Sequence, residues 1–413
     1  INIKTHLNKT FNYMIVKRLN ILVLFFLLKG FNTTRRNIQF EITQNFTERV
    51  QSYGYLSEEH FIVTEDGYIL TIFRLRHGKC MKKMRTPPVI LLHGLLMSSD
   101  CWLDAGPNDG LAYLLADACF DLWVGNDRGN YYSRNHVELN PDTDQEYWQW
   151  SSDEIGKYDQ PAVIDYVLKS TGTTELNVVG YSQGAGTLFV TLSERPDYCK
   201  KVKLHIALAP STRLIHSKSV ITWMCLAAFE FYQKLLQFLG INEIFAKGSL
   251  VVSGIQFLFK SLTLIGQLFH TGIALVDGFN EWTLTPDTKE IMFSHFPAGT
   301  SLMNLVKFSQ DSRNEVFMKF DYGKENNMLV YGLQRPPIYN FTAVDTSVVL
   351  IYSVNDIFVD IKDLFWLAES LPNVIGVERV LDTNWDHLHT AFSRNVKKYL
   401  FPNIMKYLHA FRM

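Results

Sequence analysis

At 413 residues the chain is too long for a disulfide-stapled mini-protein and too short for three ordinary domains. Its 40 Lys and Arg against 41 Asp and Glu leave a formal charge of −1, which excludes the basic excess of a nucleic-acid binder and the strong net charge of a disordered chain. An apolar share of 47% is globular, and 14% aromatics suit a large core or a pocket for apolar ligands.

In chain order, Lys17 and Arg18 precede an unbroken apolar run from Ile21 to Leu28. A basic head and a short apolar run read as a secretory signal peptide, because a membrane span needs about 20 apolar residues. The alternative is a buried core helix of the mature protein. Met14 stands just ahead of the basic head, so residues 1–13 are expected to be upstream read-through. Secretion or delivery to a lysosome is the expected destination. Sequons begin at Asn8, Asn32, Asn45 and Asn340; Asn45 and Asn340 fall in the expected mature chain and are the candidate glycosylation sites. None of the five cysteines forms a C-x-x-C pair, and an odd number leaves one unpaired within the chain.

His60–Thr64 and Tyr68–Phe73 flank Glu65-Asp66-Gly67, which predicts a hairpin. After Pro87-Pro88 the run Val89–Leu92 has the continuous apolar character of a strand covered on both faces. Phe120–Val124, Leu176–Val179, Leu204–Leu208 and Val348–Tyr352 repeat that character, and Val374–Leu381 is the last strand candidate. Between them, segments such as Gln160–Lys169 and Gly184–Ser193 have helical spacing. The alternation predicts an α/β fold, a mostly parallel sheet with helices on both faces. It stops near Pro210 and resumes near Thr346. Between them, Ile221–Leu239 and Val251–Val276 are apolar stretches broken by single polar residues, which predicts amphipathic helices of an inserted lobe rather than lipid-spanning ones. Extra core helices of one compact domain are the competing expectation.

Gly180-Tyr181-Ser182-Gln183-Gly184 follows the strand candidate Leu176–Val179 and opens a helical segment. A strand, a glycine-flanked serine and a helix make a nucleophile elbow, where a strained turn exposes the Ser182 hydroxyl at a helix N-terminus. A serine needs a base, and the base an orienting carboxylate. Asp356 follows the strand candidate Val348–Tyr352, and His387 follows Val374–Leu381. All three residues therefore belong at carboxyl ends of strands on one sheet edge. His389 competes with His387, and Asp382 and Asp386 compete with Asp356. An oxyanion needs donors: the N–H of Gln183, next after the nucleophile, and that of Leu95, in the loop His93-Gly94-Leu95-Leu96 where Gly94 is expected to turn the backbone inward.

With these residues in place, the chain resembles the acid lipases, the family of gastric, lysosomal and many insect digestive lipases, over about residues 45–405. The markers are Gly54-Tyr55, Val63–Leu70, His93–Leu96, Asn126–Asn130, Trp148–Glu154, Tyr158–Pro161, His295–Ser301 and Asn355-Asp356. The resemblance implies the α/β-hydrolase fold, a triad of Ser182, Asp356 and His387, an oxyanion hole from Leu95 and Gln183, and a cap over the pocket. It divides the chain into upstream and signal residues 1–30, a hydrolase core at 31–213 and 345–413, and a cap or lid at 214–344. Three features depart from the family. Tyr181 stands where the mammalian enzymes have His, His389-Thr390 stands where Asp-Phe is usual, and no cysteine follows Cys225 in the cap to form the gastric enzymes' disulfide there.

The expected activity is hydrolysis of carboxylic esters of neutral lipids, triacylglycerols and cholesteryl esters among them, through an acyl-enzyme. No metal or organic cofactor is implied. The expected partners are a lipid ester and an oil–water or membrane interface, with no nucleic acid and no obligate protein partner. The alternatives are an esterase for short or specialised soluble esters, and a non-enzymatic lipid-binding or yolk-type storage protein on the same fold.

Overall fold

The computed structural model of the chain describes residues 38–80, 87–260, 284 and 286–412. The expected signal segment at 1–30, the sequons at Asn8 and Asn32, and most of the stretch Val251–Val276 lie outside these residues. The chain divides into two compact units. Of residues 1–41 the short helix Ile38–Glu41 is described; residues 42–413 hold the sheet and every candidate catalytic residue.

The sheet is built from β1 (Tyr55–Val63), β2 (Tyr68–His77), β3 (Val89–Leu92), β4 (Leu122–Val124), β5 (Asn135–His136), β6 (Leu176–Tyr181), β7 (Val202–Leu208), β10 (Ser347–Tyr352) and β11 (Val374–Arg379); a separate pair is made by β8 (Glu243–Ile244) and β9 (Thr300–Ser301). The strand order is β1-β2-β4-β3-β6-β7-β10-β11, with β5 paired to β2. From β4 to β11 every pairing is parallel, while β1, β2 and β5 pair antiparallel. β1 and β2 form the expected hairpin, turned at Gly67 with φ +93°. Most of the strand candidates shift by a residue or two. β4 starts at Leu122, and the Asp121 carboxylate just before it accepts two N–H groups of the Arg74 guanidinium at 2.7 Å. β11 stops at Arg379, two residues before the end of the strand candidate Val374–Leu381.

The unbroken apolar runs follow from burial on both faces. Val89 and Leu91 enter one core cluster while Ile90 and Leu92 enter the other, and Val179 and Val178 divide in the same way. A strand with both faces covered has no polar alternation to display. His205 of β7 lies in this interior with both ring nitrogens unpartnered, its ring 4.7 Å from that of Phe189, and burial pushes its pKa down to about 3. It is a neutral packing residue. α1 (Gln160–Thr171) and α2 (Gln183–Glu194) fulfil the two helical expectations.

Between β7 and β10 the chain leaves the sheet. The described helices there are α3 (Val220–Phe231), α4 (Gln233–Phe238), α5 (Leu250–Lys260), α6 (Pro286–His295), α7 (Leu302–Asp311) and α8 (Lys324–Tyr331). The apolar stretch Ile221–Leu239 is therefore two helices, broken at Tyr232. A third core cluster joins Leu226 of α3 to Leu302, Leu305, Val306 and Phe308 of α7. Among the described residues no helix is long and apolar enough to cross a membrane. Cys80 and Cys119 form a disulfide, and Cys101, Cys199 and Cys225 are free thiols.

Candidate active site

Ser182 links the end of β6 to the start of α2 at φ +52° and ψ −116°, a conformation that a residue with a Cβ rarely adopts. The turn is fastened on all sides. The Ser182 N–H donates to Leu208 of β7 at 2.9 Å, the Gly184 N–H to His93 at 3.0 Å, and the Ser182 carbonyl accepts from Gly186 and Ser211. A Cβ at Gly180 would lie 2.7 Å from the Ala185 Cα, and one at Gly184 would lie 2.6 Å from the His93 carbonyl. The two glycines of the motif are thus demanded by close packing of helix on strand.

The Ser182 hydroxyl lies 2.9 Å from Nε2 of His387, whose Nδ1 lies 2.8 Å from Oδ2 of Asp356. The other oxygen of Asp356 accepts the N–H groups of Phe358 and Val359, both at 2.8 Å, which fixes the carboxylate. The rings of Tyr181 and Phe358 flank the imidazole at 5.1 and 5.0 Å, and the Tyr181 hydroxyl donates to the His387 carbonyl at 2.8 Å. Tyr181, the first departure from the family pattern, therefore anchors the loop that carries His387. Two of the rivals pair with each other instead, the His389 ring contacting the Asp386 carboxylate, while Asp382 accepts the Asn384 N–H at 3.0 Å. His389 is buried.

The loop after β3 is a turn closed by the Met97 N–H on the Gly94 carbonyl at 3.2 Å, with the Leu96 carbonyl accepting from Ala298 at 2.7 Å. The inward turn is made at Leu96, φ +61°, and not at Gly94. Gly94 supplies clearance, since a Cβ there would lie 3.3 Å from the Ser182 Cβ. His93 braces the loop. Its Nε2 faces the Asp127 N–H at 3.1 Å, which leaves the proton on Nδ1 to donate to the Gly94 carbonyl at 2.9 Å. The Gln183 amide is clamped between Asp127 (3.1 Å) and Asn304 of α7 (2.8 Å), so the backbone of Gln183 is held from both sides. Burial raises the Asp127 carboxyl above the usual range, against the opposing pull of His93 and of the Gln183 hydrogen bond.

Ser182 and His387 open on a cavity of about 240 Å³. Core loops contribute Leu95, Leu96, Met97, Phe358 and Leu388, and the segment between β7 and β10 contributes Thr222, Cys225, Leu226, Phe229, Phe245, Phe293, Phe296 and Leu305. Apart from Ser182, His387, Thr222 and Cys225, its walls are aliphatic or phenyl side chains.

The family described as "alpha/beta hydrolase fold" matches residues 87–388, and that described as "partial alpha/beta-hydrolase lipase region" matches residues 46–106. Lipase 1 of Drosophila melanogaster is 35% identical, aligning 91% of this chain with 82% of that protein. Human gastric triacylglycerol lipase is 32% identical, aligning 88% of this chain with 91% of that protein. The chain belongs to the acid-lipase family of α/β-hydrolases. This lipase is a carboxylic ester hydrolase. A soluble variant of monoglyceride lipase from Saccharomyces cerevisiae, 12% identical, shares the fold with a TM-score of 0.53, covering 87% of this chain and 96% of that one.

Of the sequence-predicted residues, the lipase brings Ser182, His387 and Asp356 into one hydrogen-bonded line, with Leu95 in the loop after β3 and Gln183 at the first position of α2, next to Ser182. Sequence reasoning missed Asn304 and Ser211. Asn304 sits three residues after Ser301 in the family marker His295–Ser301, and the N-cap bond of Ser301 to the Asn304 N–H holds it in place. Ser211 follows Pro210, where the strand candidate Leu204–Leu208 had already ended, and no motif marked it.

Proposed function

We propose that this lipase hydrolyses neutral-lipid esters, triacylglycerols and cholesteryl esters among them, through an acyl-enzyme on Ser182. His387 takes the Ser182 proton as the hydroxyl attacks the ester carbonyl and returns it to the leaving alcohol, while Asp356 holds the imidazole tautomer. The N–H groups of Leu95 and Gln183 stabilise the oxyanion. Water, deprotonated by His387, then releases the fatty acid. The observation that carries this reading is the hydrogen-bonded line Ser182–His387–Asp356 opening on a cavity walled by leucine and phenylalanine. The storage-protein alternative has no use for that line. Residues 214–344 act as the cap: Ser182 is only 2% exposed, and described residues of that span line the cavity it opens on, which supports opening at a lipid surface.

Secretion or lysosomal delivery is the destination we propose. The Cys80–Cys119 disulfide supports an oxidising compartment, and the sequon residues Asn45 and Asn340 are exposed, each using its side-chain oxygen on a backbone N–H. Ser182→Ala should abolish hydrolysis of emulsified triolein and of p-nitrophenyl butyrate, together with labelling by a serine-directed phosphonate. Loss of the nucleophile costs about 10⁶ in turnover, so residual activity above about a hundredth of wild type rules out Ser182. Activity confined to the soluble ester favours the short-ester esterase.

A further inference from the structure

The Ser182 hydroxyl has two neighbours, and the triad accounts for one of them. The second is the hydroxyl of Ser211, 3.0 Å away and buried. The direction of that bond follows from proton counting. In the resting site Nδ1 of His387 carries the proton toward Asp356, so Nε2 is the acceptor and the single Ser182 proton goes there. The Ser182 oxygen can then only accept from Ser211. Ser211 is the donor.

Three local features bring that donor to the nucleophile. After β7 the chain turns sharply at Ala209, another non-glycine residue at positive φ (+43°), whose N–H is tied to Ile351 of β10 at 2.9 Å. The Ser211 N–H then docks on the Ser182 carbonyl at 3.1 Å. Gly186 makes room, since a Cβ there would lie 1.8 Å from the Ser211 carbonyl oxygen. A strained turn, a backbone hydrogen bond and a missing Cβ together hold one hydroxyl against another. Among the described residues no other hydrogen-bond partner accompanies the Ser211 hydroxyl.

We infer that Ser211 is a further catalytic residue of this lipase, a hydroxyl donor to the Ser182 oxygen that serves the deacylation step; the inference rests on Ser182 being the nucleophile. Its effect on the two half-reactions is unequal. In acylation the Ser182 oxygen begins as a hydroxyl that already accepts this bond, so the bond gains only the charge uncovered as His387 takes the proton, and the oxygen ends as that of an ester, a poorer acceptor. In deacylation water adds to the acyl carbon, giving its proton to His387. The bond from that carbon to the Ser182 oxygen then breaks, and the electron pair stays on the oxygen until His387 returns the proton. The Ser211 hydrogen bond strengthens as that charge grows. An interaction accelerates a step by as much as it strengthens between the state before it and the transition state, so deacylation, which starts from the poorer acceptor, gains more than acylation.

The test separates the two steps. The acyl-enzyme formed from p-nitrophenyl butyrate is followed by intact-mass spectrometry, and acylation by the burst of p-nitrophenolate. Ser211→Ala should slow decay of the acyl-enzyme about tenfold, in keeping with a hydrogen bond to a charged oxygen, and leave acylation within about threefold. Ser211→Thr keeps the hydroxyl and should restore deacylation. Ser211→Cys keeps the bulk with a weak S–H donor and should behave as Ser211→Ala does. Wild-type deacylation in both Ser211→Ala and Ser211→Cys, or an equal fall in both half-reactions, overturns the assignment. A burst that survives Ser182→Ala instead overturns the nucleophile itself, a separate failure.

Discussion

At residue scale, the opposite roles we propose for two histidines two positions apart rest on which carboxylate each meets. His387 reaches Asp356 across from another strand end; His389 meets its near neighbour Asp386, whose carboxylate also accepts the His389 N–H at 3.1 Å. Its ring sits against Trp385, 5.8 Å away, with Nε2 buried and unpartnered. His387→Ala should therefore lose activity almost as fully as Ser182→Ala, because nucleophile and base act as a unit. His389→Ala should keep turnover within about tenfold of wild type while losing about 1–3 kcal/mol of stability, as a buried group with a polar partner does. Turnover per phosphonate-titrated site, with a urea midpoint for each variant, checks both. A dead, fully folded His389→Ala would reverse the assignment. The proposed triad was legible because each member follows a strand run. Ser211 was not, since a lone serine after Pro210 carries no signal until the sheet sets it beside Ser182.

At the scale of elements, α7 shows what periodicity alone does not disclose. All ten of its residues are buried, including Asn304, Lys307 and Asp311. Those polar residues face inward, where Asn304 holds Gln183 and Lys307 pairs with Asp311. Burial pushes the Asp311 carboxyl up to about 7, with Asp153 adding to the rise and Lys307 opposing it. In the unfolded chain an aspartate titrates near 3.9. The folded lipase thus keeps a proton on Asp311 between roughly pH 4 and 7 that the unfolded chain releases. A raised carboxyl costs stability as pH climbs through that window and costs nothing further below it. Asp159 is also raised to about 7 by burial, against Arg128, and has the same sign. Asp311→Asn should therefore flatten, without removing, a fall in melting temperature from pH 4 to 7. Calorimetry at four or five pH values decides it, and parallel curves for wild type and variant refute the assigned shift.

At the scale of the whole molecule, the sheet was legible and its covering was not. Double-sided burial writes itself as apolar runs such as Val89–Leu92, and strand ends place the chemistry on one edge. The helices between β7 and β10 are apolar on several faces, as Phe231 at 80% and Phe238 at 85% exposure show, so their pattern names no single buried face. Cysteine pairing was illegible as well, because five cysteines without a spacing motif allow many partners. The structure joins Cys80, just beyond β2, to Cys119, just before β4, across 39 residues of sequence. That bond closes a loop containing β3, the Leu95 turn and Trp102, so the unfolded chain that loses most freedom is the part that builds one side of the site. For a loop of this length the chain-entropy relation gives about 4 kcal/mol of stabilisation. A double Cys80→Ser, Cys119→Ser variant should therefore unfold at a lower denaturant concentration by about that free energy, and the intact lipase should lose a similar amount when reduced. Because β2 and β4 are already paired in the folded sheet, the folded variant should keep wild-type turnover below its unfolding transition. Urea unfolding of both proteins, with and without reductant, tests this: an unchanged midpoint in the variant would mean that the loop is already constrained in the unfolded chain, and a turnover loss in the fully folded variant would mean that the bond shapes the site directly.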